Sequence, residues 1–105
     1  MTAAGDTTTP TQRVAIVARL AERAAMRYTP AGISALDLVL AHESEQIEAG
    51  HPRLVRLQLK AVALGEVAER LAAQALGTTL DCAGFLAPGR RGTGVVFHIQ
   101  EFKPI

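Results

Sequence analysis

The chain has 105 residues, of which 49% are hydrophobic and 20% charged, with a formal net charge of +1. That length fills one core, so a single domain is expected, and the near-balanced charge excludes a disordered polyelectrolyte. Charged residues or glycine break every apolar run well short of the roughly 18 residues that a membrane-crossing helix needs.

The first eleven residues, MTAAGDTTTPT, show no periodicity and lack the basic and apolar regions of a signal peptide. A disordered tail over 1–11 is expected, followed by one domain over 12–105. From Arg13, Val14, Ile16, Ala18 and Leu20 alternate with Ala15, Val17 and Arg19, which predicts a strand with one buried face. The continuation to Tyr28 is Ala-rich and fits strand or helix equally. Thr29-Pro30-Ala31-Gly32 predicts a turn. A second strand is expected over 33–42, where Leu36, Leu38 and Leu40 share one face and Ala35, Asp37 and Val39 the other. The acidic stretch that follows, ending in Gly50 and Pro52, is expected to be a polar loop.

Residues 53–63 predict a third strand, with Val55, Leu57, Leu59 and Ala61 on one side and Leu54, Arg56, Gln58 and Lys60 on the other. At 65–76 the period becomes helical: Val67, Ala68, Leu71, Ala72, Ala75 and Leu76 form one stripe, and Gly77 marks the stop. Two more strands are expected over 79–87 and 93–102, joined by a loop through Gly89, Arg90 and Arg91, with Pro104 limiting further pairing. The order β-β-β-α-β-β is that of an all-β fold with one helix, the five-stranded OB-fold barrel, whose interior is filled by every second residue. Aromatic residues are only 4% of the chain, so Leu, Val, Ile and Ala must build that interior. Its small side chains leave little surplus stability, and oligomerisation is a natural supplement.

The residues argue against catalysis. His42, His51 and His98 lack the spacing of zinc ligands, and the single cysteine, Cys82, completes no such set. Cys82 falls on the inward parity of its strand and reads as a small core residue. It forms no internal disulfide, so a reducing, cytoplasmic location is expected. The GRRGTG stretch lacks the Lys-Ser or Lys-Thr of a P-loop, and no nucleophile–base pair is assembled. No enzyme activity, cofactor or metal is therefore expected.

Particular residues carry a resemblance. Gln12-Arg13-Val14, Thr29-Pro30-Ala31-Gly32-Ile33, Leu38 to Ser44, Gln46 to Gly50, and Gly84-Phe85-Leu86 resemble the primosomal replication protein N (PriB) family, relatives of single-stranded DNA-binding protein. The resemblance spans about Gln12 to Phe102. It implies a homodimeric OB fold that binds single-stranded DNA and assists replication restart beside the helicase PriA and the loader DnaT. Position by position, it implies DNA contacts at Arg27, Arg53, Arg90 and Arg91. Arg56 stands where better-known members carry a stacking tryptophan, His51 where they carry an aromatic, and Glu43 where they carry a base.

A single strand is held by cationic grooves and planar side chains. Arginine supplies both, because its guanidinium stacks on bases and pairs with phosphate. Arg27, Arg53, Arg56, Lys60, Arg90 and Arg91 are therefore expected to form one basic stripe, with Arg56, Tyr28 and His51 offering stacking surfaces. The outward face of the first strand, Ala15, Val17 and Arg19, is expected to form the dimer contact. The competing expectation is a dimeric adaptor of the primosome with weak or vestigial DNA binding.

Overall fold

In a computed structural model, residues 10–105 are described. Of the expected tail, only Pro10 and Thr11 fall among them, without regular structure. The chain runs β1 (Val14–Arg23), β2 (Arg27–Tyr28), β3 (Ser34–Glu48), β4 (His51–Leu64), α1 (Glu66–Ala72), β5 (Thr79–Pro88) and β6 (Val95–Pro104). The strands pair in the order β1-β5-β6-β4-β3-β2, and β1 also pairs with β3. That extra pairing closes β1, β5, β6, β4 and β3 into a five-stranded barrel, as the element order predicts. The β4–β6 seam is parallel (Ala61↔Phe97, Val62↔His98), while the other pairings are antiparallel.

Alternation sends one side of each strand inward. Ala18, Leu20, Leu36, Leu38, Leu40, Leu80, Cys82, Phe97 and Ile99 form the core, and Leu71 of α1 packs against it. Burial pushes the Cys82 thiol up to about 11, so at neutral pH it is a protonated filler, not a nucleophile. The ambiguous stretch after Leu20 is strand as far as Arg23. A bulge between Leu20 and Glu22 lets β1 leave β5 and continue against β3. The Arg23 guanidinium donates to the carbonyls of Leu71 and Gln74 and ties this strand end to the helix C-terminus.

Three expectations are corrected. The polar stretch after His42 is not a loop: β3 continues to Glu48, and β4 begins at His51 rather than Arg53. A two-residue turn, Ala49 (φ 52) and Gly50 (φ 79), joins them in the doubly left-handed form that matches strand twist. The helix is shorter than 65–76 and stops at Ala72, because the following backbone pairs with β1 instead. Gly77 N–H donates to the Leu20 carbonyl and Leu20 N–H to that of Thr78. Leu76 is thereby left exposed. Finally, pairing continues to Pro104, opposite Leu80, and proline ends the strand rather than shortening it.

Gly84 sits where β5 shifts register against β6. A Cβ there would lie 1.8 Å from the His98 carbonyl oxygen, so this close approach admits no side chain. Near it, the Gln12 side chain donates to the Leu86 carbonyl at 2.9 Å and accepts from its N–H at 2.8 Å, docking the start of the domain onto β5.

Candidate nucleic-acid interface

The register fixes which side chains share the outer wall. Across β3 and β4, Asp37 lies opposite Val62, Val39 opposite Lys60, Ala41 opposite Gln58 and Glu43 opposite Arg56. These residues alternate with the core leucines and so face outward. Arg27 of β2, opposite Ala35, extends the same wall. Beyond Val62 the row continues through His98 to Phe85. The Phe85 and His98 rings stack at 4.8 Å between centroids with 12° between planes. This aromatic pair puts a planar, half-buried surface on the wall.

A groove of about 630 Å³ lies where the Gly89–Gly94 loop folds beside this wall. Lys60, Arg90 and Arg91 line it with Asp37, Val39 and Val96. Those three cations enter no ion pair among the described residues. Arg27 reaches the groove through Asp37: its Nε and Nη2 donate to the two carboxylate oxygens at 2.7 and 3.1 Å. These bonds hold the Asp37 carboxyl below the usual carboxylate range against the opposing push of partial burial, and the Arg90 charge adds to the effect.

The predicted stripe does not stay on one face. Arg56 is on the same wall as Lys60 but in a separate depression with Arg19, Glu43 and Gln58, and its guanidinium donates to Glu43. Arg53, opposite Gln46, has the parity of Val55 and Leu57 and therefore faces the other side of the hairpin, where it pairs with Glu48 at 2.7 Å. His51 lies opposite Glu48 beside the turn, on the Arg53 side. Tyr28, 67% exposed, lies opposite Ser34 and has the parity opposite to Arg27. The groove thus gathers Lys60, Arg90 and Arg91, with Glu22 and the carbonyl-bound Arg23 from the end of β1 and, through Asp37, Arg27. It does not gather Arg53, His51 or Tyr28.

Asp37 and the Phe85–His98 pair escape sequence reasoning, as do Glu22 and Arg23 at the end of β1. Asp37 reads there as one more outward residue, and nothing in the chain order announces that Arg27 will reach it. The Phe85–His98 stack likewise depends on the register of β5 against β6. Ala15, Val17 and Arg19 are all exposed on the outer face of β1. They stand opposite Ala83, Asp81 and Thr79 of β5; none of the three lines the groove, though Arg19 shares the depression of Arg56 and Glu43. His42 closes the open side of β1: its Nδ1 is 2.7 Å from the Val17 carbonyl and its Nε2 2.8 Å from the Ser44 hydroxyl.

A closed barrel of this connectivity, with a cationic groove on its outer wall, is the architecture of single-strand binding proteins. A family model described as "another single-strand binding protein family" matches residues 12–101. The wild-type single-stranded DNA-binding protein of Thermus aquaticus superposes with a TM-score of 0.70 at 28% identity, over 89% of this chain and 49% of that one. The PriB structure from Ralstonia solanacearum superposes with a TM-score of 0.85 at 38% identity, over 90% of this chain and 98% of that one. The replication restart protein PriB of Bordetella pertussis is 53% identical over 89 residues, 84% of this chain and 83% of that protein. The chain belongs to the PriB family of replication restart proteins, with its OB fold of the single-strand-binding type.

Proposed function

We propose that the protein binds single-stranded DNA in the groove lined by Lys60, Arg90 and Arg91 and serves replication restart as an accessory factor. The observation that carries this reading is the set of three unpaired cations facing one groove on the wall. Such cations release counterions on meeting phosphate, whereas an arginine already bound to a carboxylate gains little by the exchange. The adjoining Phe85–His98 stack and Val96 give bases a planar and apolar place to rest beside the phosphate contacts.

The same reading pairs two chains through the outer face of β1, with Ala15, Val17 and Arg19 at the contact. Their exposure supports it, as does the need of a small aliphatic core for added buried area. The helicase PriA and the loader DnaT are the protein partners that the PriB resemblance implies.

Fluorescence anisotropy of a labelled oligo-dT tests the DNA reading. Three phosphate contacts give a slope of log K against log salt near −2, at about 0.7 per contact. A flat salt response would overturn the groove and favour the competing reading, an adaptor that holds helicase and loader without gripping DNA. The apolar side chains of the hairpin, with Ile47 71% and Leu54 56% exposed, are the specific observation on that side.

A further inference from the structure

Three of the arginines expected to hold DNA are tied by carboxylates, and all three carboxylates come from β3: Asp37 on Arg27, Glu43 on Arg56 and Glu48 on Arg53. The pairs are not equivalent in position. Asp37 lines the groove beside Lys60 and Arg90, and Glu43 stands directly opposite Arg56 on the same wall. Glu48 and Arg53 lie on the opposite side of the hairpin. Asp37 engages Arg27 through Nε and Nη2 together, the edge of a guanidinium that would otherwise grip two phosphate oxygens side by side.

We propose that Asp37 and Glu43 occupy phosphate positions on the DNA wall and set the affinity for a single strand by competing for Arg27 and Arg56. The inference rests on the DNA reading above and names the residues that tune it. A strand crossing the wall meets two arginines whose charge is already balanced. To use either, a phosphate displaces a carboxylate, which then stays nearby as an unpaired anion. Both arginines hold the strand in register but release few counterions. Lys60, Arg90 and Arg91 carry the salt-dependent part.

The test compares the native protein with Asp37→Asn, Glu43→Gln and Glu48→Gln in oligo-dT titrations across a salt series, with circular dichroism to establish that each folds. Asp37→Asn and Glu43→Gln each bind about threefold to fivefold tighter at low salt, the fold-change matching one exposed ion pair. Each also steepens the salt slope by about 0.7, one added phosphate contact. Glu48→Gln, on the other face, changes neither quantity. A carboxylate that merely positions its arginine gives the reverse: folded Asp37→Asn and Glu43→Gln proteins bind equally or more weakly, with an unchanged or shallower slope. That result overturns the inference and leaves the DNA reading standing. If neither the native protein nor any variant binds, both fall together. If only the carboxylate variants bind, the competition is confirmed in its strongest form.

Discussion

Replacing Lys60, Arg90 and Arg91 together by alanine is expected to weaken oligo-dT binding about a hundredfold at low salt and to flatten its salt dependence. Each exposed contact with phosphate contributes about 1 kcal/mol, and about 3 kcal/mol in sum is about a hundredfold. The three positions are exposed and enter no ion pair among the described residues, so their loss leaves the barrel intact. Thermal unfolding of the triple variant should follow the native curve. Arg53→Ala is the matched control. It removes one cation of the same type from the opposite face, and binding should stay within about twofold. If Arg53→Ala costs as much as the triple variant, the hairpin's other face is the interface and the groove is not.

The second large effect is on stability. Phe97→Ala is expected to destabilise the barrel by about 3–5 kcal/mol, read from the urea midpoint of unfolding. Phe97 is fully buried and is the largest side chain among the fully buried residues. The rest of the core is leucine, alanine and cysteine with Ile99 and Phe102, and such close-packed neighbours relax only partly into the space it vacates. The position is also sensitive topologically. Phe97 stands at the β4–β6 seam, where only Ala61↔Phe97 and Val62↔His98 are in register, the shortest of the pairings that close the barrel. A loss under about 1 kcal/mol would mean that the seam carries little of the fold's stability. Because that seam places Lys60 beside the last hairpin, a loosened Phe97→Ala protein should also bind DNA less tightly.

Much of this molecule is legible in the chain order, and for a simple reason. In β1, β5 and β6 one face meets the core and the other meets water, so period two appears directly in the residues. Val14, Ile16, Ala18 and Leu20 are an instance. The same period fails in the outer half of β3 because neither face is buried there. Glu43, Ser44, Glu45 and Gln46 form a strand only because Arg56, Val55, Leu54 and Arg53 lie opposite and supply the backbone ladder. Local hydropathy carries no trace of that partner, and a polar loop is the natural expectation. The helical pattern overruns the helix for the converse reason: its apolar stripe continues to Leu76, but hydrogen bonds to β1 outcompete another helical turn.

The candidate site divides along the same line. Parity was legible: Lys60 and Arg56 share a face, and Arg53, an odd number of residues away, does not. The resemblance to a DNA-binding family implies Arg53 in the stripe, and the strand geometry places it on the other side. Register was not legible. Which carboxylate meets which arginine depends on how β3 aligns with β4 and β2. The proximity of Arg90 to Lys60 depends on a parallel pairing between strands more than thirty residues apart in the chain. Such non-local contacts have no local signature.

The most direct test of the account is where DNA touches the protein. Titrating isotopically labelled protein with unlabelled oligo-dT and following the backbone amide resonances gives that map. The largest shifts are expected at Lys60 to Val62, in the Gly89–Gly94 loop and at Val96 to His98, with Arg53, His51, Ala15 and Val17 undisturbed. Shifts concentrated on the Arg53 face of the hairpin, or on Ala15 and Val17, would contradict it.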